Sequence, residues 1–229
     1  MHINNKEQRD AGRIYKIQQS FFDNYEKIFV RRISLATPFF IKSHHLTLTT
    51  MLWIFLVIIF SFLARHNSAW ILGSSMVILL HCLTDSLDIE IAKREKDSGK
   101  NWNFYMDHIL DYFFLVAIII GYSLAIPSFN GYILAFSLIV SCGLMTDSFL
   151  YLATANRFKI SHFKMGPTEG KLLFVGVNFM IIFLEEKYIL FFIKFLVLFL
   201  AAVLITVVYK NQCDLRKRPH PHGRERVYR

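Results

Sequence analysis

Cysteine is scarce in this sequence, and charge is thin. The three cysteines, Cys82, Cys142 and Cys213, are odd in number and have no paired-ligand spacing. That excludes a disulfide framework and a zinc site, and leaves them as small packing residues. Charged residues make up only 19% of the chain, against 54% apolar and 16% aromatic, which excludes an ordinary soluble domain of 229 residues. A secretory leader is not expected either, because MHINNKEQRDAGR runs into an amphipathic stretch instead of a short apolar core with a cleavage site.

What is present is hydrophobic length. A helix needs about 17–25 apolar residues to cross a hydrocarbon core of roughly 30 Å. Six stretches qualify, at about 46–64, 69–88, 104–125, 131–155, 168–184 and 188–208. The fifth is the shortest: its apolar part, LLFVGVNFMIIFL, spans only with the Thr168–Lys171 turn included. The expected fold is therefore all-α, an integral membrane protein with six transmembrane helices. Thr47 or Thr49 in HHLTLTT is placed to cap the first. Trp53, Trp70 and Trp102 fall near span ends, as an aromatic belt requires.

The distribution of charge gives the orientation. Of 26 Lys and Arg, all but Arg65, Lys187 and Lys194 lie in the segments 1–45, 93–100, 157–171 and 210–229. The positive-inside rule then places both termini and the segments 93–103 and 156–170 in the cytoplasm, at the inner membrane if the cell is bacterial. Topology and anionic membrane phospholipids account for the net charge of +9, so no nucleic acid partner is expected. Residues 1–45 read as a cytoplasmic N-terminus, in which 12–35 put Ile14, Ile17, Phe21, Phe22, Tyr25, Ile28, Phe29 and Ile33 at helical spacing among basic residues. This is either an N-terminal interfacial amphipathic helix on the cytoplasmic leaflet or a soluble helix packed on the next segment. Residues 46–208 form the six-helix domain, and 209–229 a basic, Pro-broken flexible tail whose His220 and His222 could bind metal, though its composition favours a solvated segment. The sequence is compatible with a homodimer as well as a monomer.

Four aspartates interrupt the second and third spans. Ionisable groups at membrane depth cost roughly 2.5–3.5 kcal/mol each on insertion scales, so they need a reason. Asp85 and Asp88, three residues apart, share a helix face, as do Asp107 and Asp111, four apart. If the two helices run antiparallel through the short turn 95–102, both pairs reach the same membrane surface. Two unit charges 4 Å apart repel by about 4 kcal/mol at an effective dielectric of about 20, a repulsion that two divalent cations would cancel. Oxygen ligands favour Mg²⁺ or Mn²⁺ over zinc. His81, one turn deeper than Asp85, is either a hydrogen-bond donor behind the acids or an ordinary interface histidine. Lys93 falls nearer the aspartate face than Arg94, and either contacts a phosphate or anchors the helix.

These residues carry a resemblance. DSLDIEIAK, a short spacer and NFYMDHILD resemble the signature of the CDP-alcohol phosphotransferases. In that signature two aspartates are followed by glycine and an alanine–arginine pair, then a glycine and two further aspartates. Asp85, Asp88, Asp107, Asp111 and Ala92 match it, and the helix pattern extends the likeness over most of residues 12–208. The family's first glycine is Ile89 here, its arginine Lys93, and its second glycine Asn103. In the family those glycines leave room for the cytidine, so a branched Ile89 can obstruct it, and Lys93 keeps the charge but loses two-pronged phosphate geometry. A weaker likeness lies in FKMGPTEGK, where Thr168 and Glu169 resemble a Thr-Glu of the choline and ethanolamine phosphotransferase branch. A Pro-led helix start with an acidic first turn accounts equally for them.

The resemblance implies two Mg²⁺ or Mn²⁺ ions on Asp85, Asp88, Asp107 and Asp111, with Asp107 and Asp111 catalytic and Asp111 the base for the acceptor hydroxyl. Ile89, Ala92, Lys93 and Asn103 would line the donor site. Glu169, Lys171, Arg157 and Lys164 would hold the acceptor or its headgroup. The implied function is transfer of a phosphoalcohol moiety from a CDP-alcohol to a lipid or small-alcohol hydroxyl at the cytoplasmic face, in phospholipid biosynthesis. Ile89 and Asn103 keep open a transferase or hydrolase using a non-CDP diphosphate donor, and intramembrane carboxylates keep open a cation-binding transporter.

Overall fold

The computed structural model describes residues 30–35, 37–38, 42–92, 100–155 and 167–217, and among them the only regular structure is helical. Six long helices follow one another: α1 (Ser43–Ala64), α2 (Ile71–Ala92), α3 (Lys100–Ala125), α4 (Gly131–Ala155), α5 (Pro167–Phe183) and α6 (Glu186–Lys217). A 3₁₀ turn, Ser68–Trp70, leads into α2. Residues 30–35 are also helical, with Val30 and Ser34 buried and Arg31 and Arg32 exposed; the rest of the expected interfacial helix, 12–29, lies outside the described residues.

Local chemistry sets the helix boundaries. The first span starts earlier than expected, at Ser43, with Lys42 extended just before it and the Lys42 backbone N–H donating to His45 Nδ1 at 3.2 Å. Neither Thr47 nor Thr49 is the cap: both lie inside α1, where Thr49 Oγ1 donates to the Leu46 carbonyl and Thr47 Oγ1 to the Ser43 carbonyl at 3.2 Å as well as outward to α2. Asn67 Oδ1 accepts from the Ala69 N–H at 3.0 Å and opens the 3₁₀ turn. Pro127 stops α3, since a proline cannot continue the backbone ladder. Asn130 Oδ1 then accepts from the Ile133 N–H at 3.0 Å and starts α4. Pro167 stands first in α5 with Glu169 in its opening turn, the positions where a missing N–H and a negative charge suit a helix N-terminus.

Five of the helical stretches are long and apolar enough to cross a membrane: Ser43–Ala64, Ser68–Ala92, Tyr105–Ala125, Gly131–Tyr151 and Glu186–Lys217. α5, with 17 residues, is the short one. Phe55, Phe62, Met76, Phe191, Phe195 and Ile205 all face outward, the arrangement of a multi-pass membrane protein whose surroundings are as apolar as its core. The interior holds Val57, Ile71, Ile78, Phe114, Ile118 and Val177.

α1 lies against both α2 and α3, α5 packs on α2, and α4 packs on α6; the backbones of α2 and α3 stay further apart, and these two helices meet through side chains. The α1–α3 crossing depends on Gly121, where an added Cβ would stand 2.5 Å from Ser61 Oγ and 3.0 Å from Ser61 Cβ. Small residues let backbones approach where apolar burial alone gives no drive. Polar pairs fix other crossings: Asn178 Nδ2 donates to Ser75 Oγ at 3.0 Å between α5 and α2, and Tyr122 OH to the Phe174 carbonyl at 3.1 Å between α3 and α5. At one end the Ser128 N–H of the α3–α4 turn donates to Glu186 Oε1 at 2.7 Å. At the opposite end Asn211 Nδ2 donates to Asp147 Oδ2 at 2.7 Å, joining α6 to α4.

Candidate metal centre

α1 separates the backbones of α2 and α3 but not their acids. Asp85 of α2 and Asp107 and Asp111 of α3 each offer a carboxylate oxygen, and these three atoms lie within 4.8 Å of one another. The four-residue spacing of Asp107 and Asp111 makes this possible, because it stacks both on the side of α3 that looks toward α2. All three are half-buried. An ion about 2.1 Å from each oxygen needs oxygens no more than about 4.2 Å apart, so shifts of tenths of an ångström would close the group around a cation. Carboxylate oxygens suit Mg²⁺ or Mn²⁺.

Asp88, the fourth acid, stands outside this group and is more deeply buried. Ser43 Oγ donates to its Oδ1, and Thr47 Oγ1 to its Oδ2 at 2.6 Å. Asn103 Nδ2 of α3 donates to Ser43 Oγ at 3.1 Å, so Asn103, Ser43, Asp88 and Thr47 make one polar path from α3 across α1 to α2. Neither Ser43 nor Thr47 is among the site residues that the sequence points to, Thr47 being expected only as a helix cap. The signal was available: both are small hydroxyl residues four apart at the charged end of the first span.

A cation of the chain itself reaches the acids. Lys171, in the early part of α5, places Nζ 2.9 Å from Asp85 Oδ2 and 3.7 Å from Asp111 Oδ1. His81 Nε2 is 3.6 Å from Asp111 Oδ1, and its ring stacks on Phe114 with centroids 3.9 Å apart. His81 thus faces Asp111 rather than Asp85. His108 Nδ1 lies 3.5 Å from Asp107 Oδ2.

The remaining candidates spread around this centre. Ile89 and Ala92 are half-buried on the last turns of α2, Asn103 is half-buried near the start of α3, and Glu169 is half-buried in the first turn of α5. Lys93, Arg157 and Lys164 lie outside the described residues.

A bundle with five helices fit for a membrane, in which carboxylates from two helices converge, defines a multi-pass membrane protein with an acidic centre able to take a cation. The family model for CDP-alcohol phosphatidyltransferase matches residues 44–208, which takes in all of α1–α6 except the first residue of α1 and the last turns of α6. The chain belongs to the CDP-alcohol phosphatidyltransferase family, transferases of phosphatidyl groups from CDP-alcohols in phospholipid synthesis that use divalent metals. No curated protein matches the chain.

Proposed function

We propose that this protein transfers a phosphoalcohol group from a CDP-alcohol to a hydroxyl acceptor at the cytoplasmic face of the membrane, with one of the two partners a lipid. The observation that supports it most is the convergence of Asp85, Asp107 and Asp111 within a chain of this family. In this reading α5 is a sixth, short span, both termini are cytoplasmic, and the tail and N-terminus touch anionic lipid. Asp85, Asp107 and Asp111 hold divalent ions, and Asp88 joins them or steadies their helix through Ser43 and Thr47. Bound there, Mg²⁺ or Mn²⁺ supplies the positive charge that a diphosphate needs as its phosphorus is attacked.

The chain's own residues do the rest. Asp111 takes the proton of the acceptor hydroxyl; the acceptor oxygen forms its bond to phosphorus; the bond from phosphorus to the bridging oxygen breaks, and CMP leaves with that oxygen. His81, packed against Phe114, keeps the Asp111 carboxylate oriented from within the bundle. Glu169, half-buried in the first turn of α5, is the residue we assign to an acceptor headgroup; Arg157 and Lys164 are assigned to it by their charge and place in the sequence.

CMP release from CDP-diacylglycerol, CDP-choline and CDP-ethanolamine, with Mg²⁺ or Mn²⁺, tests this directly. At least one donor should turn over, chelation should stop it, and Asp111→Asn should lower the rate by about 10²–10⁴-fold, the usual span for losing a positioned base. Full activity in Asp111→Asn would remove that residue from the role.

A second reading is favoured by one contact. Asn103, which replaces a family glycine, fills its position with an amide bonded to Ser43, and Ile89 adds a branched chain on α2, so a donor without cytidine has a physical basis in lost room. In that version the same centre takes another diphosphate donor. Thermal stabilisation by a panel of nucleotides with Mg²⁺ separates the two: selective stabilisation by cytidine nucleotides decides for the first.

A further inference from the structure

We infer that Lys171 is a tethered cation of the acidic centre, holding Asp85 and Asp111 together until a divalent ion displaces it, so that the centre fills in two unequal steps. The inference rests on the metal reading of the same carboxylates. Its starting point is where the ammonium lies: 2.9 Å from Asp85 Oδ2 and 3.7 Å from Asp111 Oδ1, in contact with an acid from each of the two helices. Lysine and both acids are largely withdrawn from solvent, with side-chain exposures of 12%, 19% and 27%. Screening between them is therefore weaker than at a surface pair.

An ammonium is a compact point charge with three donors. Between two carboxylates it does what a metal ion does, drawing them together against their mutual repulsion. A divalent ion bridging Asp85 and Asp111 would sit about 2.1 Å from each oxygen, in the region where Nζ already is, and would repel it. The two cations compete for one pair of acids. Asp107 is different, because its recorded ionic neighbour is His108 and not the lysine. An ion can enter on the Asp107 side with Lys171 in place, whereas an ion between Asp85 and Asp111 requires the ammonium to move. Lys171 is free to move in that way: it is carried on a long flexible stem near the N-terminal end of α5, and that helix is held to the bundle deeper down by Asn178 and by the Phe174 carbonyl. The lysine can leave without unpacking its helix.

The test is Mn²⁺ binding to the purified full chain in detergent, followed by the loss of the free-ion paramagnetic resonance signal. In the wild type a second ion should bind at least about tenfold more weakly than the first. Lys171→Met should raise the affinity for the second ion at least about tenfold, and Lys171→Arg, which keeps the charge, should retain the wild-type inequality. Equal isotherms for wild type and Lys171→Met would overturn the inference while leaving the metal reading standing; wild type that binds no Mn²⁺ would overturn both. If Lys171→Met does not fold, the wild type alone decides. Acylation of Lys171 by an amine reagent, read by mass spectrometry, should rise several-fold on saturation with Mn²⁺, and labelling that stays level or falls would overturn displacement.

Discussion

Asp85 and Asp88 stand one helical turn apart on α2, yet they keep different company. Asp85 meets α3 acids and the α5 lysine, whereas Asp88 is received by two hydroxyls of α1. A buried carboxylate that loses a hydrogen bond loses about 1.5–3 kcal/mol, because the group left behind has no water to turn to. Thr47→Val keeps the shape and removes the donor to Asp88. It should lower the unfolding free energy by about that amount in detergent, while Thr49→Val, whose hydroxyl bonds only the Leu46 carbonyl of its own helix, should change it by less than about 0.5 kcal/mol. Equal effects of the two would mean that Thr47 does not support Asp88. At this scale the sequence was partly readable. That Asp107 and Asp111 share one side of α3 followed from their spacing, which depends only on helix geometry; that this side meets Asp85 and not Asp88 depends on packing. The partners of Asp88 did not follow either, since they lie 41 and 45 residues away on a helix whose packing no local pattern reveals. Lys171 was placed near a headgroup by its charge and position; that it reaches the acids depends on how α5 lies against α2, a tertiary fact.

The elements do their work through close approach. α1 is the wedge of the site: it touches α2 and α3, with Gly121 bringing it close to α3 at the end away from the acids and Ser43 reaching both Asp88 and Asn103 at the acidic end. A β-branched side chain at Gly121 would meet Ser61 within 3.0 Å and push the two helices apart. Gly121→Val should therefore destabilise by about 1–3 kcal/mol, the usual cost of overpacking, and should weaken Mn²⁺ binding as well, since Asp111 is carried on the displaced helix. Gly131→Ala, with open space around the added carbon, is the control and should leave thermal midpoint and metal affinity unchanged. If Gly121→Val behaves like the control, the α1–α3 contact does not set the site. Helix existence was legible for the five spans of membrane length, because such apolar runs admit no other structure in a membrane. Helix starts were less so: the cap at Lys42 and His45 uses residue types outside the usual capping set, and the preference for Thr47 or Thr49 followed propensity where their hydroxyls are used inside α1.

For the whole molecule, the helices alternate so that one end carries the α1–α2, α3–α4 and α5–α6 connections and the other carries the acids. The bond from the Ser128 N–H to Glu186 fixes two of those connections at the same end, and the α4–α6 pair Asn211–Asp147 marks the opposite one. α6 makes the polarity visible: its 32 residues span about 48 Å at 1.5 Å per residue, more than a core of roughly 30 Å needs. The excess runs past the apolar stretch into YKNQCDLRK and ends on Arg216 and Lys217. The proposed orientation, with the acidic end in the cytoplasm, rests on the basic residues at that end and on the presence of only Arg65 and Lys187 near the connections opposite. Single cysteines introduced into a cysteine-free variant check it. In intact cells a membrane-impermeant thiol reagent should label Asn67→Cys and Glu185→Cys from outside, and Lys217→Cys only after the membrane is permeabilised. Labelling of Lys217→Cys from outside, with Asn67→Cys protected, would turn the molecule over and put the acidic centre on the face away from cytoplasmic nucleotide, where a CDP-alcohol donor made in the cytoplasm has no access to it.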